Sequence, residues 1–263
     1  MKHILVPIGF TENAKNTLQY AIDFANEINA NVFVFRAYSA QTKAGTIINI
    51  NAIIERETNL YLRTMVQSVD TKNVEVKLIS AKGTTADSVE AIDNEIGIDL
   101  IIVGAKSNSI KEEVFLGKTA GSIVKQTEIP VLTIPENYSF KPITSILTAF
   151  KSGIIKSKTA LKPLSFISKK FNASVNLLLV KTPNYKEEDL EINEELVNLQ
   201  STLTTTENAT TFQGVLEHLK TFNPDMLCVF RRKRGFFQKL WEKNTILKEE
   251  FSTTVPLLIL KGR

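Results

Sequence analysis

Glycine and hydroxyl residues follow a short apolar run, at a place where they could hold a phosphate group. The run Leu-Ile-Ile-Val at 100–103 precedes a loop that contains Gly104, Lys106, Ser107, Gly117, Lys118 and Thr119. Glycine lets a backbone approach a phosphate closely, and the free amides at a helix N-terminus favour an anion. The segment is therefore a candidate anion-binding loop. The alternative is that Gly104 and Gly117 serve a tight turn and the start of a helix.

The string Gly117-Lys118-Thr119 also resembles the end of a phosphate-binding P-loop. That motif needs another glycine five residues before the second one, and it follows a strand directly. Position 112 is Glu112, and a longer loop separates Gly117 from the apolar run. We therefore reject a P-loop at this position.

The second half of the chain carries basic and aromatic residues where the first half carries glycines. Phe230, Lys233 and Lys243 stand where Gly104, Ser107 and Gly117 stand in the first half. Four consecutive cations at 231–234 precede two phenylalanines. Such a stretch could present charge to an anionic partner, or it could be a solvated loop with its aromatic rings packed on the domain. We expect no nucleotide site in this half.

Catalytic and metal-binding patterns are weak. His3 and His218 have no cysteine or carboxylate neighbours at the spacing of metal ligands. The single cysteine, Cys228, lies in an apolar run and is expected to be a buried thiol. The sequence therefore favours a binding protein over an enzyme and predicts no metal site, with weak nucleotide hydrolysis as an alternative.

Apolar runs alternate with helical periodicity along both halves, which predicts an α/β fold with parallel sheets. In the first half we expect strands at 3–8, 31–38, 74–80, 99–104 and 130–134, and helices from Thr11, a possible N-cap, and at about 53–69, 85–96 and 115–127. In the second half we expect strands near 145–149, 174–180, 203–206, 225–230 and 256–260. Ligands of such sheets bind outside the carboxyl ends of the strands, here after Ile8, Phe35 and Val103.

An internal repeat defines two domains. Asp99-Leu100-Ile101-Ile102-Val103 matches Asp225-Met226-Leu227-Cys228-Val229, and Ile4-Leu5 matches Ile146-Leu147. A period of more than a hundred residues indicates duplicated domains. We place the first domain at 1–138 and the second at 143–263, each a doubly wound, five-stranded parallel sheet flanked by helices.

The chain resembles the universal stress protein family in both copies. The resemblance rests on ILVP in the first strand, DLIIVG in the fourth and IPVLTIP at the close of the first copy. It implies the fold of the adenine nucleotide alpha hydrolases, a role in the stress response and, in the first domain, an adenine nucleotide such as ATP. The site residues it implies are Pro7, Ile8, Gly9, Ala37, Gly104, Lys106, Ser107, Gly117, Lys118 and Thr119.

Three positions depart from the nucleotide-binding pattern of that family. Gly9 stands in place of an acidic residue, Ser107 in place of a glycine, and Lys118 in place of a hydroxyl residue. Loss of the carboxylate at Gly9 removes an acceptor for an amino group, while Lys118 adds a cation that could pair with phosphate. An interaction scaffold that has lost nucleotide binding is therefore an alternative function.

The expected partners follow from the resemblance and from the composition. Members of the family dimerise through their last strand, so we expect Val131–Ile134 to pair with Leu257–Leu260 as an internal pseudo-dimer; a homodimer is also possible, and the protein partner is unknown. Residues 1–140 carry 13 Lys/Arg against 16 Asp/Glu, and the whole chain has a net charge of +4, which does not imply nucleic acid. The chain has no apolar run of about 20 residues and no recognisable signal peptide, so we expect a cytoplasmic protein without a membrane segment.

Overall fold

A computed structural model describes residues 1–11, 13–39, 50–105, 117–157, 159–231 and 254–262, with the backbone alone at 117–119. Contacts divide the chain into two compact units, Met1–Phe140 (unit 1) and Lys141–Arg263 (unit 2). Among the described residues, no helix is long and apolar enough to cross a membrane.

Unit 1 alternates five strands with four helices. They are β1 (His3–Pro7), α1 (Ala14–Ile28), β2 (Asn31–Tyr38), α2 (Ile50–Gln67), β3 (Val76–Lys82), α3 (Thr85–Ile96), β4 (Leu100–Gly104), α4 (Gly117–Gln126) and β5 (Val131–Ile134). The strands are parallel in the order β3-β2-β1-β4-β5. The order reverses between β1 and β4, which is where an open parallel sheet binds its ligands.

The local sequence explains these elements. Leu100, Ile101 and Ile102 in β4 are fully buried, as residues of a strand covered on both faces must be. Helix α1 ends at Ile28, and the φ of 54° at its C-cap, Asn29, is the left-handed conformation that asparagine tolerates at a helix end. The expected N-cap at Thr11 is wrong: α1 starts at Ala14, and the capping residue is Asn13.

Unit 2 has the same succession of parallel strands. Its elements are β6 (Ser145–Phe150), α5 (Lys162–Phe171), β7 (Ser174–Lys181), a 3-10 turn (Glu187–Leu190), α6 (Glu194–Leu199), β8 (Thr202–Glu207), α7 (Thr211–Phe222), β9 (Met226–Arg231) and β10 (Leu257–Lys261). The strand order is β10-β9-β6-β7-β8. The predicted α/β class and parallel pairing are confirmed, with strand ends shifted by one or two residues.

An aspartate before the fourth strand of each unit holds the start of the first strand. Asp99 Oδ2 accepts hydrogen bonds from the backbone N–H groups of Lys2 at 2.6 Å and His3 at 3.1 Å. Asp225 Oδ2 accepts from the N–H groups of Thr144 at 2.8 Å and Ser145 at 3.2 Å. The repeated aspartate of the sequence therefore acts as a carboxylate clamp between two neighbouring strands.

Candidate functional site

The carboxyl edge of unit 1 brings three of the predicted segments together. The N–H of Ile8, just after β1, donates to the carbonyl of Phe35 in β2 at 2.8 Å, which aligns the ends of the two strands. On its other side β1 pairs with β4, which ends at Gly104. Ala37 lies at the end of β2, in register with Ala81 of β3. Pro7, Ile8, Gly9, Ala37 and Gly104 therefore share this edge.

Helix α1 packs tightly beneath the end of β4. A Cβ atom at Gly104 would lie 2.6 Å from Thr17 Oγ1 and 3.0 Å from Asn13 Nδ2, both closer than carbon can approach without displacement. Asn13 Nδ2 also donates to the carbonyl of Ala105 at 3.4 Å, and Thr17 Oγ1 donates to the carbonyl of Asn13 at 2.9 Å. Glycine is required here for close packing against α1, which is a different role from the tight turn considered from the sequence.

Asn13 leaves one polar atom unused at this junction. Its Oδ1 is buried and has no hydrogen-bond partner within the residues that the structure describes. A buried acceptor without a donor costs roughly 1–3 kcal/mol. The atom lies where the loop after β1 meets the loop after β4, so a ligand hydroxyl or a water molecule could satisfy it.

An aromatic and cationic cluster stands beside Gly9. The Tyr61 hydroxyl of α2 donates to the carbonyl of Gly9 at 2.8 Å, and the rings of Phe10 and Tyr61 meet edge to face, with centroids 5.1 Å apart. The guanidinium carbon of Arg36 lies 3.3 Å from the centroid of the Phe10 ring and 4.6 Å from that of Tyr61. We call Phe10, Arg36 and Tyr61 the arginine stack.

Sequence reasoning missed the arginine stack and Asn13. Arg36 is a cation near the end of a strand that is otherwise apolar, and this signal could have pointed to it. Tyr61 gives no such signal, because 52 residues separate it from Gly9.

The remaining predicted residues are only partly described. Lys106 and Ser107 lie outside the described residues. Gly117 opens α4, as expected of a helix start, and Lys118 and Thr119 follow it in the first turn. The backbone therefore places a helix N-terminus after the loop that begins at Gly104, where free amides favour an anion.

At the corresponding edge of unit 2, a later segment of the chain contacts the loop after β6. Gly153, three residues after β6, donates to the carbonyl of Asp189 at 2.9 Å and accepts from the N–H of Asn193 at 3.0 Å. A Cβ at Gly153 would lie 2.5 Å from the Cα of Ile192. We call residues 187–193 the closing segment. By the repeat offset of 142 residues, Gly153 corresponds to Thr11 in the loop that follows β1.

The two histidines and the single cysteine that the sequence analysis considered have contacts within the fold. His3 Nδ1 lies 3.0 Å from the carbonyl oxygen of Gly97 and so has a backbone partner. His218 packs against the Phe222 ring. Burial raises the pKa of the Cys228 thiol, with a weaker opposing hydrogen bond to Thr148. No group of metal-ligating side chains occurs among the residues that the structure describes.

The basic stretch of unit 2 begins inside a strand. Arg231 is the last residue of β9, pairs in register with Lys261 and has its pKa lowered by burial. Strand β9 therefore extends one residue beyond the expected 225–230 and includes the first of the four cations. Residues 232–234, Lys243 and the two phenylalanines lie outside the described residues.

The fold and its switch point define a doubly wound α/β protein. The model of the universal stress protein family matches residues 1–135, just over half of the chain. The chain belongs to the universal stress protein family.

Individual relatives are distant. Universal stress protein G of Shigella flexneri is 27% identical over 81 residues, which is 31% of this chain and 56% of that protein, so the match spans about half of its length. A universal stress protein of Methanocaldococcus jannaschii is 20% identical over 138 residues, 51% of this chain and 81% of its own. The crystal structure of a universal stress protein from Archaeoglobus fulgidus is similar over 99% of this chain and 96% of its own, with a TM-score of 0.70 and 18% identity. This likeness confirms the fold.

Proposed function

We propose that unit 1 binds a purine nucleotide at the carboxyl edge formed by β1, β2 and β4, and that the protein acts in the cytoplasm as a stress-response binding and regulatory module. The buried Oδ1 of Asn13, which has no hydrogen-bond partner among the described residues, is the observation that supports this most directly. It is an acceptor between the two loops that flank the switch point, where a ribose hydroxyl could donate to it. The adenine nucleotide expected from the family resemblance is one of the two ligands to test.

The proposal assigns the phosphates to the start of α4. Gly104 allows the β4 end to pack on α1, and Gly117 opens the next helix, whose first amides have no intrahelical partner. Lys106, Ser107, Lys118 and Thr119 belong to the same loop and helix start in the sequence. Phosphate binding at this place needs backbone amides and cations, which the chain supplies.

The proposal also limits binding to one site per chain. In unit 2 the closing segment hydrogen-bonds to Gly153 on both its N–H and its carbonyl, at the end of β6 where a ligand would enter. Opening that edge would break both hydrogen bonds. We therefore expect unit 2 to bind no nucleotide of its own.

Calorimetric titration of the purified full chain with ATP and with GTP tests the proposal. We expect at least one of them to bind at one site per chain. Gly117→Asp should weaken that binding at least about tenfold, because a carboxylate at the helix N-terminus repels phosphate and occupies its place. Gln126→Asp adds the same charge at the other end of α4 and serves as the control.

Two results would contradict the proposal. One is a wild-type chain that binds neither nucleotide, and the other is a Gly117→Asp variant that binds as tightly as the Gln126→Asp control. The first result would favour the interaction scaffold, which acts without a nucleotide.

A further inference from the structure

The arginine stack lies at the ends of β1 and β2, beside the carboxyl edge proposed above to bind a nucleotide. Arg36 is two residues from the end of β2, and the preceding carbonyl, that of Phe35, accepts from the N–H of Ile8 at 2.8 Å. Phe10 follows Gly9 in the loop after β1 and is 81% exposed. The stack therefore connects the ends of β1 and β2 on the side of the sheet edge away from the phosphate-binding helix start.

The guanidinium of Arg36 is held in place by its neighbours. The Phe10 ring lies 3.3 Å from its central carbon, and the Tyr61 ring lies 4.6 Å from it. Tyr61 is itself fixed by the 2.8 Å hydrogen bond from its hydroxyl to the carbonyl of Gly9. A planar cation that packs against two adjoining rings has lost part of its freedom before any ligand binds, so less is lost when it donates a hydrogen bond.

One nitrogen of this guanidinium has no hydrogen-bond partner. Arg36 Nη1 is buried and unpaired within the described chain. The salt bridges seen in the described part of unit 1 join other residues, namely Arg56 with Glu57, Lys72 with Asp23, and Lys77 with Glu75. Burial lowers the pKa of Arg36, with Tyr61 opposing the effect, so the cation lies in a partly dry setting. Such a donor favours an acceptor group on a ligand.

Hydrogen-bond donors and acceptors at this edge would distinguish one purine base from another. An arginine can only donate hydrogen bonds. The 6-oxopurines, such as guanine, present two acceptors, O6 and N7, on one edge, whereas adenine presents one acceptor and one amino donor there. At the end of β1, Gly9 has no side chain that could accept from an amino group.

We propose that Arg36 reads the base, so that unit 1 prefers 6-oxopurine nucleotides to adenine nucleotides. The proposal rests on the proposed function, because it names the base that the same site selects. Guanidinium nitrogens donate to O6 and N7 of the base, and the Phe10 and Tyr61 rings hold the guanidinium in plane.

Competition among GTP, ITP and ATP for the full-length chain, measured by calorimetry, tests this inference. GTP and ITP share the 6-oxo group, while ITP lacks the amino group that guanine carries. Both should bind about tenfold more tightly than ATP, the discrimination typical of a well-placed arginine–purine contact. Arg36→Gln should abolish the preference, because an amide can also accept from the amino group of adenine.

Arg56→Gln is the matched control, because Arg56 in α2 is 78% exposed in its side chain and pairs with Glu57. It should keep the preference for GTP. Gly9→Asp is a second variant, and its Cβ has room, since the nearest atom to a Cβ there is 4.0 Å away. Its carboxylate should compete for Arg36 and accept from an amino group, so it should weaken GTP binding and strengthen ATP binding.

Tighter binding of ATP than of GTP and ITP by the wild type would overturn the inference while leaving nucleotide binding intact. A preference for GTP that survives both Arg36→Gln and Gly9→Asp would overturn it as well. A chain that binds none of the three nucleotides would overturn both this inference and the proposed function.

Discussion

Single atoms decide which residues this sheet edge tolerates. Gly104 and Gly9 are both glycines at the ends of neighbouring strands, but they differ in the space around them. A Cβ at Gly104 would meet Thr17 Oγ1 at 2.6 Å, whereas a Cβ at Gly9 would meet its nearest neighbour at 4.0 Å. The first glycine is required by packing and the second is not.

Gly104→Ala should therefore destabilise the protein by about 1–3 kcal/mol, the usual cost of adding a methyl group to a packed region. Gly9→Ala should be neutral or should stabilise by up to about 1 kcal/mol, because alanine restricts the unfolded chain and meets no obstacle. Urea unfolding followed by circular dichroism measures both. Equal stability of the two variants would show that α1 can move away from β4 without cost.

At the scale of elements, the two units differ in how the edge beside the first two strands is covered. In unit 2 the closing segment returns to the end of β6 and forms two backbone hydrogen bonds with Gly153. In unit 1 the corresponding edge carries the arginine stack, with the hydroxyl of Tyr61 on the carbonyl of Gly9. The loop after the first strand is therefore held by backbone hydrogen bonds in unit 2 and by a side-chain hydrogen bond in unit 1.

Gly153→Ala should open the closing segment. The new methyl group would come within 2.5 Å of the Cα of Ile192, a backbone atom that cannot rotate away. We expect a destabilisation of about 2–3 kcal/mol and faster amide hydrogen exchange at 187–199. Lys151→Ala, at an exposed position two residues earlier, is the control. Unchanged exchange in the Gly153 variant would mean that the segment is not held by this contact.

For the whole molecule, the carboxylate clamp at Asp225 makes stability depend on pH. Burial by itself raises the pKa of Asp225, but hydrogen bonds from Lys141 and Thr144 outweigh it and lower the pKa from 3.8 to about 2. The side chain of Asp225 is 14% exposed, whereas Lys141 is 56% exposed, so salt screens the ion pair more than the bonds from Thr144.

A pKa that folding lowers adds stability above the unfolded value, and this stability is lost as the pH falls from about 4 to about 2. Asp225→Asn should therefore lower the unfolding free energy by about 1–2 kcal/mol at neutral pH. The difference from the wild type should shrink as the pH approaches 2. Urea midpoints of both proteins between pH 2 and 7 measure it. A difference that stays constant over this range would contradict a charged clamp.

The arrangement of the last strands of the two copies stays a prediction from the sequence. Pairing of Val131–Ile134 with Leu257–Leu260 would cover two apolar edges. The prediction that one nucleotide binds per chain depends on the difference between the carboxyl edges of the two units.

Much of the fold can be read from the sequence because its signals are local. The strand Leu100–Gly104 is a continuous apolar run, and helix Thr85–Ile96 occupies the range that periodicity predicts. Asp99 and Asp225 precede the fourth strand in the first and the second copy, respectively. Hydrophobic periodicity and turn residues reflect neighbours within a few positions along the chain. They can therefore be recognised without knowledge of the tertiary structure.

The details of the candidate site were decided by the tertiary structure. The hydroxyl of Tyr61 reaches the carbonyl of Gly9 across 52 residues, and Asn13 reaches Ala105 across 92. The closing segment reaches Gly153 from more than thirty residues away. Contacts of this kind depend on which helix covers which strand and on side-chain direction, and neither leaves a periodic mark in the sequence. The sequence alone thus determined the class and the edge of the sheet to examine, while packing determined that one edge carries the arginine stack and the other carries the closing segment.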